Sequence, residues 1–197
     1  MALLEKGQSQ GLTEKSTQDA SNRSFYVGAA WDGDVDLDLM IVPVNNDGAS
    51  IEDSVCYFSR LESLGGAIKH SGDALDGDAE GDDESIVINV NSIPDTVQAL
   101  VVGVIAYNVA DMSAASNTQF TIRDGADVAA AELFKLPMSD EDVEGETILV
   151  SCVIAREGDG WSVTSVSEFN TEFKHGIDSA NGLVKIAPGF VGSNTAA

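Results

Sequence analysis

The feature that most constrains the fold is a series of short apolar segments, rich in β-branched residues, that recur between clusters of Gly, Asn and Asp. Segments of this length and composition are typical of β-strands. We predict strands at residues 24–31, 35–44, 54–59, 85–90, 97–107, 118–124, 146–157 and 160–169. The short connections between them favour an all-β fold, an antiparallel β-sandwich of two sheets.

Few segments of the sequence are suited to helices. Residues 127–138 could form one or two helical turns, because Pro137 would end any longer helix, and residues 61–66 could form one short turn. The Gly-Asp-Gly sequence at 158–160 predicts a tight hairpin between the last two strands. Because Trp31 and Trp161 lie in strand-like segments, we expect core or rim anchors and not ligand-stacking surfaces.

The chain of 197 residues, 43% of them hydrophobic, is large enough for one well-filled core. We predict one domain over residues 1–170 and a C-terminal extension or tail over 171–197, where the strand pattern is lost. The N-terminal residues form no apolar signal segment, and the longest apolar run, residues 99–107, is too short to cross a bilayer. We therefore expect neither a secretion signal nor membrane insertion. Cys56 and Cys152 lie in apolar strand-like segments, which favours buried reduced thiols.

The charge balance excludes some partners. Asp and Glu number 33 against 10 Lys and Arg, which gives a formal net charge of −23. Nucleic-acid binding relies on basic patches, so we predict no nucleic-acid partner. Two interpretations of the acidic excess remain open at this point: a solvated acidic surface, and clustered carboxylates that bind cations.

The first acidic cluster lies at the start of a predicted strand. Asp34, Asp36 and Asp38 alternate with apolar residues. On a strand this alternation would place the three carboxylates on one face, about 6.5 to 7 Å apart, and the apolar side chains on the other face. A row of like charges costs stability unless the face is fully solvated or a cation lies against it.

The second acidic cluster is a glycine-rich loop with seven acidic side chains between Asp73 and Glu84 and no Lys or Arg. The spacing does not fit an EF-hand, because an Asp stands at the position that requires Gly. Calcium needs six to eight oxygen ligands, which two such segments could provide together, whereas magnesium retains waters and uses fewer protein oxygens. For His70, beside the loop, we expect a surface side chain, with a supporting hydrogen-bond donor as the alternative.

Other candidate sites are weaker. The acidic run at residues 139–146 lacks the alternation and the glycine spacing of the other two clusters, so we interpret it as a solvated turn. The sequence contains no Gly-rich phosphate loop with Lys, no His-Glu zinc motif and no nucleophilic Ser elbow. We therefore expect a protein that is not an enzyme.

Four blocks in order resemble one known family: LEKGQSQGLT at 4–13, VGAAWDGDVDLDLMI at 27–41, the stretch from HSGDALDGD to ALVVGV at 70–104, and TILVSCVIAREGDGWSVTSV at 147–166. They are similar to the motifs of the TerD-type tellurium-resistance and bacterial stress proteins. The resemblance extends over roughly residues 3 to 169. It implies a two-sheet β-sandwich, calcium bound by acidic loops at one end, and a cytoplasmic role in stress responses.

The resemblance also implies a ligand set. Carried over by position, the predicted calcium ligands are Asp36, Asp38, Asp73, Asp82, Asp83 and Glu84. Secondary candidates are Asp34, Asp76 and Asp78. The family usually has Asn after the Gly-Asp step, and here Ala74 removes one candidate oxygen, which Asp76 or Asp78 could replace.

Two functional hypotheses follow. The first is a calcium-binding, non-catalytic protein of the stress-response or tellurite-resistance type, in which bound calcium orders the acidic loops and creates a surface for a protein partner. The alternative is a structural or interaction building block, a subunit of a particle or filament that self-associates and uses calcium only for stability.

Overall fold

The architecture is described by a computed structural model for residues 2–107, 111–137, 143–170 and 177–186. Its strands, in chain order, are β1 Ala2–Leu3, β2 Ser9–Gly11, β3 Ser24–Asp32, β4 Asp36–Val44, β5 Glu62–Ser63, β6 Ile68–His70, β7 Glu84–Asn89, β8 Ala99–Tyr107, β9 Ser116–Asp124, β10 Ala131–Pro137, β11 Ile148–Glu157 and β12 Gly160–Asn170. The helices are α1 Leu12–Lys15 and α2 Ile177–Ile186, with single 3-10 turns at Leu64–Gly66, Val90–Ser92 and Met112–Ala114.

The strands form two sheets. The seven-stranded sheet has the order β1-β10-β9-β3-β7-β6-β5, and the five-stranded sheet has the order β2-β12-β11-β8-β4. Within these sheets, the pairing of β1 with β10 is parallel and the other strand pairings are antiparallel. The predicted all-β sandwich is therefore confirmed.

Strands β4, β8 and most of β11 in the five-stranded sheet are buried on both faces. In β4, Leu37 and Leu39 belong to the main core, which combines residues of both sheets, while Met40 and Val42 belong to a second apolar cluster. Successive strand residues point to opposite faces, so the second cluster lies on the outer face of this sheet. Leu183 of α2 is part of that cluster and is fully buried.

Helix α2 lies within the predicted tail 171–197, where the sequence pattern indicated no helix. Leu183 packs above Gly103 of β8, where a Cβ would lie 2.5 Å from Leu183 Cδ2. A glycine in the middle of a strand often marks a close approach, and here it makes room for the helix. Residues 171–176 and 187–197, which flank α2, lie outside the described residues.

Two secondary-structure predictions were wrong. Residues 54–59 form no regular strand and contact β4 through an isolated bridge between Ile41 and Cys56. The helical turns predicted for 127–138 are replaced by strand β10, which pairs with β9. Although Ala, Glu and Leu favour helices, pairing with β9 buries Phe134 and Leu136 on one face, and tertiary packing overrides the weak local preference.

The short turn predicted at 61–66 is confirmed by the 3-10 turn at Leu64–Gly66.

The remaining local predictions agree with the structure. Strands β11 and β12 form the predicted hairpin, in which Glu157 pairs with Gly160. Trp31 and Trp161 are 3% and 5% exposed, as expected for anchors. Cys56 and Cys152 are free and buried, and burial raises the pKa of each thiol to about 12. Within the described part of the chain, no helix is both long and apolar enough to cross a bilayer.

Asp124 at the end of β9 fastens the N-terminal segment to the seven-stranded sheet. Its carboxylate accepts hydrogen bonds from Ser16 Oγ at 2.6 Å, Thr17 N at 2.7 Å and Gln18 Nε2 at 2.7 Å. Burial by itself would raise the pKa of Asp124, but these hydrogen bonds outweigh burial and lower the pKa to about 2. The ionised carboxylate therefore stabilises the folded protein.

We expect Asp124→Asn to lower the free energy of unfolding by about 2 kcal/mol at pH 7, because the lowered pKa is a stability contribution of that size. This contribution is present above the unfolded-state pKa and declines as the pH falls toward the folded-state pKa. The difference between wild type and variant should therefore shrink to about half by pH 3. Urea denaturation at pH 7, 5 and 3 measures it, with the exposed Asp47→Asn as control, for which a change below about 0.5 kcal/mol is expected.

Candidate metal centre

Three acidic side chains converge where β4 begins. Asp36 and Asp38 are the first and third residues of β4, and Asp73 lies in the loop that follows β6. One carboxylate oxygen from each of the three lies within 4.8 Å of the others. Asp34 precedes β4 and is exposed, so the predicted row of three carboxylates on one strand face is reduced to two.

The electrostatics of this group are unfavourable for carboxylates alone. Asp36 and Asp38 are 8% and 1% exposed. Burial, followed by the charges of Glu84 and Asp36, raises the pKa of Asp38 to about 8. Burial, followed by the charge of Asp73, raises the pKa of Asp36 to about 6. Among the described residues, no Lys or Arg nitrogen lies within 4.0 Å of the three carboxylates.

The buried oxygens of this group also lack hydrogen-bond donors. Both carboxylate oxygens of Asp38 and Oδ1 of Asp36 are buried without a hydrogen-bond partner. Buried polar atoms are normally satisfied, and an unpaired buried charge costs several kcal/mol. The group therefore presents oxygen acceptors with no protein donor to satisfy them.

Glu84, the first residue of β7, connects the two segments that carry these carboxylates. Its Oε2 accepts a hydrogen bond of 2.7 Å from the Leu39 N–H on β4. Its Oε1 accepts one of 3.0 Å from the Ala74 N–H, next to Asp73. Glu84 is 1% exposed, so this connection is a buried clamp between the outer edge of β4 and the acidic loop.

His70 completes the clamp. Its Nε2 lies 3.0 Å from the Leu39 carbonyl oxygen and 3.5 Å from Glu84 Oε2. Because the Gly72 N–H donates to His70 Nδ1 at 3.0 Å, the ring proton belongs on Nε2, which then donates to Leu39. His70 is 7% exposed, so the expectation of a surface histidine was wrong. A sequence signal existed, because Ile68 and His70 share one face of β6 by strand alternation.

Asp82 and Asp83 make other contacts. Asp83 Oδ2 accepts from the Trp31 N–H at 2.9 Å and Oδ1 accepts from the Ala79 N–H at 3.2 Å, which fastens the loop to β3. Asp82 Oδ2 lies 3.9 Å from Arg123 Nη2. Both carboxylates brace the loop from the side of the seven-stranded sheet.

The outer part of the loop is solvated. Asp76 and Asp78 are exposed, and the Asp78 N–H donates a long hydrogen bond of 3.4 Å to Asp76 Oδ1. The structure thus brings three of the nine predicted ligands together. Of the other six, Asp82 and Asp83 contact the seven-stranded sheet and Glu84 forms the clamp. The three secondary candidates are exposed to solvent. The assignment of these six residues as ligands stays a prediction. The acidic run at 139–146 lies partly outside the described residues.

Comparison with known proteins identifies the family of this sandwich. The TerD domain family matches residues 1–177. The chain belongs to the TerD domain family. This confirms the resemblance inferred from the four sequence blocks.

Two relatives of this TerD-domain chain illustrate the range of names in the family. The stress response protein SCP2 of Bacillus subtilis is 28% identical over 186 residues, which cover 84% of this chain and 90% of that protein. The tellurium resistance protein TerZ of Serratia marcescens is 26% identical over 181 residues, which cover 84% of this chain and 89% of that protein.

A solved structure shows the same fold. The crystal structure of a homologue of telluride resistance protein (TerD) from Streptomyces coelicolor A3(2) superposes with a TM-score of 0.64 at 19% sequence identity. The match covers 81% of this chain and 95% of that one. At this level of identity the comparison concerns the fold alone.

The chemistry of the donor set fits a hard cation. The group formed by Asp36, Asp38 and Asp73 offers carboxylate oxygens and contains no thiolate or imidazole ligand. Hard divalent cations prefer oxygen ligands, whereas zinc and softer metals prefer Cys and His. Burial, followed by repulsion between carboxylates, raises the pKa values of Asp36 and Asp38, and a cation here would offset both effects. The group is therefore a candidate site for a hard metal ion.

Proposed function

We propose that this TerD-domain chain is a calcium-binding, non-catalytic protein of the stress-response and tellurite-resistance type. The observation that carries the proposal is the group of Asp36, Asp38 and Asp73, whose oxygens lie within 4.8 Å of one another. Three of its buried oxygens lack any hydrogen-bond partner. A bound cation supplies the positive charge that these carboxylates lack.

Calcium suits the group better than magnesium does. Calcium accepts six to eight oxygen ligands in flexible geometry, whereas magnesium demands a near-ideal octahedron and retains several waters. Asp36 and Asp38 are fixed by β4, while Asp73 comes from a loop that can adjust to a larger ion. We assign Asp36, Asp38 and Asp73 as the residues that hold the ion.

Ion binding would act on the loop and through it on a partner. Asp73 belongs to the loop and Asp36 to β4, so one ion held by both joins two segments that are otherwise connected by the Glu84 clamp. The exposed outer part of the loop, including Leu75 at 67% exposure, would then present an ordered surface to a protein partner.

Several observations support the non-catalytic part of the proposal. Cys56 and Cys152 are buried thiols with raised pKa values, and such thiols are poor nucleophiles. The His70 ring is engaged by Leu39 and Gly72 and is not available as a general base. The stress-response and tellurium-resistance names of the relatives support the physiological role, for which we propose a cytoplasmic location.

Calorimetric titration of chelator-treated protein with Ca²⁺ tests the proposal. We expect saturable binding with a Kd at or below about 1 mM, the weak end of the range for protein calcium sites. Asp36→Asn and Asp38→Asn should each weaken binding at least tenfold, because each removes a ligand charge. Asp127→Asn, an exposed carboxylate in the turn between β9 and β10, should leave the affinity unchanged. Absence of binding at millimolar calcium would refute the proposal, and tighter binding of Mg²⁺ would refute the choice of ion.

A further inference from the structure

A pocket of about 290 Å³ lies at the end of the sandwich opposite the acidic group. Glu84, beside the acidic group, pairs with Ala29 near the end of β3. The opposite end of the same strand pair is formed by Ser24, where β3 begins, and Asn89, where β7 ends. The pocket opens beside Ser24 and Asn89. Its lining includes Arg23, Val90, Asn91, Ile93, Arg156 and Trp161.

Arg156 is held rigidly in this lining. Its Nε donates to the Val97 carbonyl at 2.9 Å and its Nη2 donates to the Ile93 carbonyl at 3.0 Å. The guanidinium also lies over the Trp161 ring, 4.6 Å from the ring centroid. An arginine fixed by carbonyls and by stacking is preorganised, so little side-chain entropy is lost when an anion binds near it.

Arg23 is the unusual member of the lining. Its backbone is fixed by a hydrogen bond of 2.6 Å from its N–H to Asn91 Oδ1. Its Nε is buried and has no hydrogen-bond partner. Among the described residues no carboxylate lies within 4.0 Å of Arg23, whereas Arg60, Arg123 and Arg156 each have one.

Hydrogen bonds from Ser21 and, to a smaller extent, the charge of Arg23 lower the pKa of the exposed Asp19, so an acidic side chain lies in the vicinity of Arg23 without forming a close ion pair. The chain has 33 acidic residues against 10 basic ones, so carboxylates that could form a close ion pair with an arginine are abundant. A buried guanidinium N–H without an acceptor also costs free energy. Buried guanidinium nitrogens of Arg60 and Arg123 also lack a hydrogen-bond partner, but each of those arginines has a carboxylate within 4.0 Å. Arg23 combines an unpaired buried donor with no close carboxylate among the described residues, which suits it to an anion from outside the chain.

We propose that the pocket between Arg23 and Arg156 binds the carboxylate or phosphate group of a small anionic ligand. The planar donors of arginine match both oxyanions. Trp161 and Val90 also line the pocket, but each is largely buried, so the polar groups of the lining would make most of the contacts with the ligand. The site is separate from the acidic group and does not depend on calcium.

Two carboxylates also belong to the pocket lining, and both are exposed. Asp95 lies 3.8 Å from Arg156 Nη2, but its side chain is fully exposed. Asp159 occupies the exposed turn between β11 and β12. Solvent and salt screen exposed charges, so these two weaken anion binding less than the buried guanidinium donor favours it.

The chain has two tryptophans, which allows a direct test by NMR. Inorganic phosphate and acetate are titrated separately into chelator-treated protein, with sodium chloride of equal ionic strength as reference. We expect a saturable shift of the Trp161 indole signal with a Kd on the order of 1 mM, while the Trp31 signal stays in place. The anion that binds more tightly identifies the group as phosphate or carboxylate.

Arg23→Gln should weaken this binding at least tenfold, because it removes the charge and the unpaired donor. Arg60→Gln, which removes an arginine that pairs with Asp53, should leave it unchanged. If Arg23→Gln loses the Trp31 signal of the folded state, Arg23→Lys replaces it, since Lys keeps the charge and lacks the planar fork. A shift that chloride reproduces, or an affinity unchanged in Arg23→Gln or in its Lys replacement, would overturn the proposal.

Discussion

Replacing Asp38 by Asn is expected to stabilise the metal-free protein at pH 9 and to reduce its stabilisation by calcium. Asp38 is 1% exposed and burial raises its pKa to about 8. In the unfolded chain the pKa is about 4. Between these two values the folded protein holds a proton that the unfolded chain releases, so rising pH favours unfolding until the folded carboxylate is itself ionised.

The pH dependence is measured by urea denaturation at pH 5, 7 and 9 in the presence of chelator. The wild type should lose stability across this range, and Asp38→Asn should lose clearly less, because Asn has no proton to release. Calcium at a hundred times the wild-type Kd should add about 2.7 kcal/mol to the wild type and at most about 1.4 kcal/mol to the variant, since the variant binds at least tenfold more weakly. Asp127→Asn should behave as wild type. If the unfolding free energy of wild type and of Asp38→Asn changed equally with pH, Asp38 would not be the carboxylate whose pKa is raised by burial.

Replacing Glu84 by Ala is expected to cost about 3 kcal/mol of unfolding free energy, a large effect for one side chain. The Glu84 carboxylate accepts from the Leu39 N–H at 2.7 Å and from the Ala74 N–H at 3.0 Å. Its removal leaves the Leu39 donor buried without an acceptor and leaves a cavity beside His70. The loop that carries Asp73 would also lose its attachment to β4.

Urea denaturation measures the loss of stability, and amide hydrogen exchange locates it. Exchange at Leu39 and Ala74 should accelerate in Glu84→Ala, even in the metal-free protein, because these two amides lose their acceptor. Glu80→Ala is the matched control, since Glu80 is an exposed glutamate of the same loop, and its effect should stay below about 0.5 kcal/mol. Similar exchange at both amides in Glu84→Ala and wild type would contradict the clamp.

Most strands were predictable because nearly all of their residues lie in the apolar interior, which leaves a continuous apolar segment in the sequence. Strands β3, β4, β8 and β11 are apolar along nearly their whole length, which indicates burial on both faces. Strand β10 was mispredicted because its helix-forming residues do not reveal the packing that overrides them, in which pairing with the preceding strand β9 buries Phe134 and Leu136. Helix α2 was missed for the same reason, since the groove above Gly103 that receives Leu183 exists only in the folded sheet.

The candidate site was predicted in part. Alternation predicted that Asp34, Asp36 and Asp38 share one strand face, and in the structure only Asp36 and Asp38 belong to the group. The third member, Asp73, was implied as a ligand by the family resemblance.

The family resemblance treated Asp82, Asp83 and Glu84 as one acidic unit. In the structure these three consecutive side chains have different partners, which are the Arg123 guanidinium, the Trp31 N–H and the Leu39 N–H. Only Glu84 belongs to strand β7, whereas Asp82 and Asp83 lie in the loop before it.

The sequence by itself determined the β-sandwich, the family and the two acidic segments, because apolar strand segments, motifs and acidic clusters are local features of the sequence. Only the tertiary structure decided which carboxylates meet and which brace the loop. It also decided that His70 is buried and that Arg23 and Arg156 line one pocket. Each of these contacts brings together residues that are more than thirty positions apart in the sequence, for example Leu39 and Glu84, or Arg23 and Arg156. A local sequence pattern carries no information about which distant residues become neighbours in the fold.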